Sequence, residues 1–208
     1  MSRAGALALF CRLARLPTLP PPRHEPGFDD VADALLRGDD ITLPDARLDF
    51  LRWLGQARGV VFHGSPRNDL VELSTERKSR DTTEWANQQA VYASSDPVWA
   101  IYFAVLRRDN GWRGTRNGSM GIGGRRFYFF IHNRGSRSPE RFGPGSLYIL
   151  PSDRFVAEQW LVDTAHLVSH VPVRPLARID VTPEDFPFRE RIGYYRDREP
   201  IWISLLRA

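Results

Sequence analysis

Two short apolar runs lie close together in this chain, and each ends abruptly on small polar residues. The first, residues 59–65, ends on a histidine, a glycine and a serine, and the second, residues 90–95, ends on two serines. Apolar runs of roughly four to eight residues bounded by turn residues are typical of buried strands. A glycine at a strand end lets a ligand approach the backbone closely. The two runs therefore predict a binding site built from strand ends.

The segments around these strands predict an α+β fold. Residues 28–37 repeat apolar positions at helical spacing and are followed by Gly38, which is typical of a helix end. A second amphipathic helix is expected between residues 42 and 58. Asp96 followed by Pro97 is typical of a helix start and predicts a third helix, over residues 97–108. Helices followed mainly by strands form the α+β pattern.

The remaining segments are predicted from their composition. The polar residues 67–89 and the glycine-rich residues 111–124 favour loops, the second of them flexible. Short strands are expected at residues 126–132, 146–150, 158–163, 173–181 and 200–206.

The N-terminal 26 residues differ in composition from the rest. Their prolines predict a poorly ordered extension with one short helical turn, so a single domain is expected over residues 27–208. Cys11 is the only cysteine, which excludes an internal disulfide and fits a cytoplasmic protein. No apolar run reaches the roughly 18 residues needed to span a bilayer, and no membrane contact is expected. The short apolar run at residues 4–10 leaves secretion as the alternative.

Arginine supplies almost all of the fixed positive charge, because Lys78 is the only lysine in a chain of formal net charge +4. Nine arginines fall within residues 107–141, where Asp109 and Glu140 are the only carboxylates. They are Arg107, Arg108, Arg113, Arg116, Arg125, Arg126, Arg134, Arg137 and Arg141. A solvated loop is the simpler interpretation of this segment. The alternative is a contact with a polyanion, since guanidinium groups bind phosphates through paired hydrogen bonds.

Three features now stand in order along the chain: a strand ending in His-Gly-Ser, a strand with a tyrosine before a capped helix, and a late strand that opens with a glutamate. In these features the sequence resembles the ADP-ribosyltransferase fold, in the diphtheria-toxin and poly(ADP-ribose) polymerase branch. Small bacterial members of that fold are similar too. The resemblance spans roughly residues 59–182. The matching segments are Val61-Phe62-His63-Gly64-Ser65, Val91-Tyr92-Ala93, Ala100-Ile101-Tyr102-Phe103-Ala104 and Glu158-Gln159-Trp160-Leu161-Val162.

The resemblance implies a split antiparallel β-sheet core with N-terminal helices, and an NAD-dependent ADP-ribosyltransferase. Such an enzyme cleaves the nicotinamide–ribose bond of NAD and transfers ADP-ribose to an acceptor, here an unidentified protein, nucleic acid or small molecule. It also implies a catalytic set of His63, Tyr92 and Glu158. The cleavage creates a sugar with oxocarbenium character, which a carboxylate such as that of Glu158 stabilises.

The same resemblance implies how NAD would be bound. His63 would orient a ribose hydroxyl, and the backbone of Gly64 would bond the carboxamide, with Ser65 beside it. Tyr92 and Tyr102 would stack on the nicotinamide, because aromatic faces attract flat cations. No metal is expected, since His166 and His170 have no third ligand near them in the sequence.

Two alternatives remain open at the level of sequence. If Gln159 rather than Glu158 occupies the catalytic position, the chain is a catalytically weak or inactive binding module of the same fold. The other alternative is removal of an RNA 2′-phosphate with NAD as the acceptor, which the many arginines allow.

Overall fold

The computed structural model describes residues 3–76, 88–109, 111–138, 140–157 and 163–206. Within those ranges the chain is α+β, with one antiparallel six-stranded sheet, one three-stranded sheet and five α-helices. The helices are α1 (Arg3–Leu13), α2 (Phe28–Arg37), α3 (Arg47–Ala57), α4 (Pro97–Val105) and α5 (Ile201–Leu205). The strands are β1 (Val60–Ser65), β2 (Val91–Ser94), β3 (Thr115–Ile122), β4 (Arg125–Asn133), β5 (Gly145–Pro151), β6 (Val156–Ala157), β7 (His166–Ser169), β8 (Ala177–Val181) and β9 (Gly193–Tyr195).

Local sequence signals set the bounds of α2 and α4. Gly38 follows α2 with a left-handed φ of 84°, and its N–H donates to the carbonyl groups of Ala34 and Leu35. At the start of α4, the Asp96 carboxylate accepts a hydrogen bond of 2.9 Å from the N–H of Val98. Both helix boundaries expected at these signals are confirmed.

The six-stranded sheet has the order β6-β7-β2-β1-β5-β8. Its central strand β1 pairs with β5 along all six of its residues. With β2, among the described residues, it pairs only where Phe62 lies opposite Ser94. Beyond Phe62, no further residue of β1 is paired with β2 in the ranges that the structure describes, and we call this place the β1–β2 gap.

Helix α4 packs against one face of this sheet at very close range. A Cβ atom at Gly64 would lie 1.7 Å from the carbonyl oxygen of Ala100, and one at Gly145 would lie 2.0 Å from that of Ala104. The helix can approach this closely because both strand residues lack a side chain. The opposite face of the sheet is covered by a second apolar cluster, which includes Val61.

The three-stranded sheet has the order β3-β4-β9, in which β3 and β4 are antiparallel and β4 and β9 are parallel. The expectation of a flexible loop over residues 111–124 is wrong, because strand β3 occupies most of it. Glycine serves packing here: a Cβ atom on Gly118 would lie 3.0 Å from the ring of Phe129 on the neighbouring strand. The hairpin turn uses Gly123 and Gly124, both with positive φ.

Both terminal segments differ from expectation. The segment before Phe28 packs on the outer face of the three-stranded sheet, where Cys11 and Leu16 are buried in one cluster with Phe127 and Leu205. Residues 200–206, expected as a strand, form α5 instead, since a short apolar run does not distinguish strand from helix. Most of the predicted strand at residues 158–163 lies outside the described residues. None of the helices in the described ranges is long and apolar enough to cross a membrane.

Candidate functional site

His63 lies in the β1–β2 gap. Its Nδ1 is 2.7 Å from the backbone carbonyl oxygen of Tyr92. Burial lowers the pKa of the imidazole, the hydrogen bond to Tyr92 opposes that shift, and the positive charge of Arg108 adds to it. The ring is therefore neutral at neutral pH. Because a carbonyl oxygen only accepts, the proton is on Nδ1, and Nε2 is left as an acceptor.

The side chains of Tyr92 and His63 leave opposite faces of the sheet. Residues directly opposite each other in antiparallel strands share a face, and Phe62 lies opposite Ser94. Because side chains alternate along a strand, Tyr92 shares the face of Ser94 and Phe62, whereas His63 shares the other face with Tyr148 on β5. Tyr92 is on the face that carries α4, and its hydroxyl donates to the carbonyl of Gln88 at 3.2 Å. The two predicted residues meet through the imidazole and a backbone carbonyl rather than ring to ring.

Gly64 and Ser65 have structural roles at the end of β1. The face of Gly64 that points to α4 is filled by the backbone of Ala100, so a ligand can reach its backbone only along the strand edge. Ser65 is 8% exposed, and its hydroxyl accepts a hydrogen bond of 3.1 Å from the N–H of Arg67. These two residues are therefore explained by packing and by a turn, before any ligand is considered.

The structure does not bring Tyr102 to the β1–β2 gap. Its side chain is fully buried on the inner side of α4, and its ring packs against Phe130 with the centroids 4.6 Å apart. Its hydroxyl lies 2.7 Å from Oγ1 of Thr115 and 2.9 Å from Nε2 of His132. Burial raises the pKa of this hydroxyl. The stacking role that the resemblance implies for Tyr102 does not fit a ring in the core.

Two other aromatic residues of α4 are half-buried at the surface and were not singled out from the sequence. The rings of Trp99 and Phe103 pack edge to face, with the centroids 4.7 Å apart. Trp99 also lies against the ring of His166 at 4.5 Å, and Arg108 lies 5.6 Å from the centroid of Phe103. Residues four apart share one side of a helix, so this spacing was the available signal. We call Trp99, Phe103 and His166 the aromatic face.

The aromatic face lies on the same side of the sheet as Tyr92. His166 is opposite Ser94 on β2, two residues from Tyr92 along that strand, so both side chains point toward α4. Burial, together with the charge of Arg126 and against that of Asp163, lowers the pKa of His166 to about 4. This histidine is thus a neutral aromatic surface at neutral pH.

Glu158 and Gln159 lie outside the described residues, so the structure describes the chain only on either side of them. Before them, Ala157 ends β6 opposite Leu167 on β7. After them, Asp163 is held at the edge of β3, where its carbonyl accepts a hydrogen bond of 2.7 Å from the N–H of Gly121. Arg126 forms an ion pair with the carboxylate of Asp163.

Among the nine arginines in residues 107–141, Arg116, Arg126 and Arg141 are bound by other groups of the protein. Arg126 lies 3.4 Å from the buried carboxylate of Asp96. Arg116 donates to Oγ of Ser204 at 2.6 Å, and the buried Arg141 donates to the carbonyl of Ser136 at 2.8 Å. These three guanidinium groups stabilise the fold. The arginines that are placed to bind a partner are therefore among the others.

Comparison of the chain with protein-family models, with curated proteins and with solved structures finds no match. Within the ranges that the structure describes, no three His, Cys, Asp or Glu side chains group together as metal ligands. The β1–β2 gap and the aromatic face are the two surfaces whose local geometry bears on function.

Proposed function

We propose that this chain is an NAD-dependent ADP-ribosyltransferase whose NAD site is the β1–β2 gap. The observation that carries the proposal is the neutral imidazole of His63, fixed by its Nδ1 hydrogen bond to the Tyr92 carbonyl. This contact holds an acceptor nitrogen, Nε2, at the place where β1 lacks a partner in β2. A ribose hydroxyl of NAD is the donor that suits it.

The nicotinamide ring has its place on the α4 side of the gap. Oxidised nicotinamide is a flat cation, and Tyr92 together with Phe103 offers it aromatic surface. Phe103 replaces Tyr102 in this role because it is half-buried at the surface, whereas Tyr102 is in the core. Arg108 lies over Phe103, and its charge acts on His63, so its guanidinium group suits the pyrophosphate.

The chemistry requires one carboxylate in addition to this binding set. As the bond between C1′ of the ribose and the nicotinamide nitrogen breaks, its electron pair leaves with nicotinamide and positive charge develops on the sugar. We assign Glu158 to stabilise that charge, as carboxylates do in glycoside hydrolysis. The acceptor then forms the new bond to C1′ and passes its proton to the same carboxylate.

Release of nicotinamide from labelled NAD tests this proposal. Replacing Glu158 by Gln is expected to lower the rate roughly 100-fold or more, whereas Glu190→Gln, an exposed carboxylate beside Arg189, leaves it unchanged. Equal rates for the parent and Glu158→Gln would refute the assignment of Glu158. If Gln159 occupies the catalytic position instead, Gln159→Glu raises the rate.

Binding of NAD without turnover is the second candidate. Gln159 favours it, because a glutamine in the catalytic position would leave the site without its carboxylate. Calorimetric titration separates the two functions: a binding module takes up NAD, releases no nicotinamide and is indifferent to Glu158→Gln. Under both proposals His63→Ala weakens NAD binding, whereas the exposed His170→Ala does not. NAD binding that survives His63→Ala would contradict both.

A further inference from the structure

We infer that one end of the three-stranded sheet binds single-stranded nucleic acid through exposed arginines. Because β4 and β9 are parallel neighbours with Asn133 opposite Tyr195, the loops that follow them leave the sheet side by side. Strand β3 begins at the same end of the sheet, since Thr115 lies opposite His132. The residues that meet there, which we call the arginine end, are Arg113, Arg134, Arg137, Arg196 and Arg198.

The backbone of the arginine end is held in place by Asn133. Its side-chain oxygen accepts a hydrogen bond of 2.8 Å from the N–H of Gly135, and its amide nitrogen donates to Asp197 at 2.6 Å. The third segment joins through Arg113, whose N–H donates to Oγ of Ser136 at 2.8 Å. All three chain segments are therefore tied together before any ligand binds, which lowers the entropy cost of binding.

The arginine end carries a local excess of positive charge. All five of its arginine side chains are exposed. Within the part of the chain that the structure describes, the one carboxylate within 4.0 Å of these groups is that of Asp197, 4.0 Å from Arg113. This distinguishes them from Arg116, Arg126 and Arg141, which are held by the fold. Their placement is thus suited to an external anion.

Arg198 adopts a backbone conformation that favours glycine or asparagine. Its φ is +62°, in a turn closed by the N–H of Glu199 donating to the carbonyl of Arg196 at 3.1 Å. A left-handed conformation is unfavourable for a residue that carries a side chain. A charged residue kept at such a cost points to a use for the side chain.

The form of the surface favours single strands over other polyanions. The guanidinium group of Arg137 lies 5.3 Å from the centroid of the half-buried Tyr194 ring. An aromatic ring with a guanidinium group over it, beside further arginines that can bind phosphates, suits unpaired bases and the backbone that joins them. The inference does not depend on the proposed function, because binding is expected whether or not NAD is cleaved.

Fluorescence anisotropy with a labelled oligouridylate of about 12 nucleotides tests the inference at several salt concentrations. The variant that combines Arg134→Gln, Arg137→Gln, Arg196→Gln and Arg198→Gly is expected to bind at least about tenfold more weakly. Its slope of log affinity against log salt falls by about 0.7 for each phosphate group that the variant no longer neutralises. Arg154→Gln with Arg174→Gln, which removes two exposed arginines near the six-stranded sheet, is the control for charge loss away from the arginine end and keeps the parent affinity.

Three outcomes would overturn the inference. One is unchanged affinity of the four-residue variant, and another is an equal loss in the control pair. The third is arginine-dependent binding to vesicles that contain phosphatidylserine, without binding to the oligouridylate, which would make the surface a membrane contact. Thermal unfolding of each variant verifies the fold, and glycine at position 198 suits the turn that Arg198 occupies.

Discussion

Acidification is expected to lower the stability of the fold through His132, a buried histidine of β4 that contacts α4. Its side chain is 1% exposed, and its Nε2 lies 2.9 Å from the hydroxyl of Tyr102. Burial, with a further contribution from the charge of Arg141, lowers its pKa from 6.5 to about 4. The folded chain thus keeps this ring neutral at a pH where the unfolded chain protonates it.

The sign and the size of the effect follow from that difference in pKa. The stabilisation is fully present above the unfolded value of 6.5 and is lost as the pH falls toward the folded value of about 4. At about 1.4 kcal/mol per pKa unit, the whole difference corresponds to about 3 kcal/mol of unfolding free energy. Between about pH 7 and pH 5 the expected loss is about 2 kcal/mol.

Urea unfolding at these two pH values, for the parent and for His132→Phe, measures the effect. Phenylalanine keeps an aromatic ring in the core and removes the titrating group, while the Tyr102 hydroxyl retains Thr115. The pKa values of His63 and His166 are also lowered, but both residues are present in both proteins and cancel in the comparison. The variant should lose about 2 kcal/mol less than the parent on acidification. Equal losses in the two proteins would refute the reasoning.

Two further predictions concern packing and are measured by the same urea unfolding at neutral pH. Leu16→Ala should lower the unfolding free energy by about 2–5 kcal/mol, because Leu16 is 5% exposed. Leu13→Ala, at a position that is 70% exposed, should change it by less than about 0.5 kcal/mol; equal effects would show that this segment does not pack on the sheet. Gly64→Ala should cost about 3 kcal/mol or more, since the backbone at Ala100 must move, and a fully stable Gly64→Ala would contradict this packing.

The sequence predicted those elements whose signals are local. Gly38 after α2 and the Asp96-Pro97 pair before α4 act within one helical turn, so no knowledge of the rest of the fold was needed. Strand β3 was missed because its glycines are explained only by a neighbour, as with Gly118 beneath the ring of Phe129. Such a reason becomes visible when the partner strand is known.

The candidate site shows the same difference between local sequence signals and features that depend on the rest of the fold. The strand ends at His63 and Tyr92 were predicted, but the face on which each side chain lies depends on strand register, and a shift of one residue would exchange the faces. On α4, Tyr102 and Phe103 differ by about 100° around the helix axis, which separates a core ring from a surface ring. The arginine end joins residues 113–137 to residues 196–198 through strand pairing that the sequence pattern did not indicate.

The cluster that unites Cys11 of α1 with Leu205 of α5 has a kinetic consequence. Contacts between residues so distant in sequence form slowly, because closing the long stretch of chain between them costs conformational entropy. During synthesis the β3–β4 hairpin emerges well before α5. The apolar surface around Phe127 therefore stays partly uncovered until α5 has been made. We therefore expect the outer face of the three-stranded sheet to be completed late in folding and to be the region most exposed to aggregation in nascent chains.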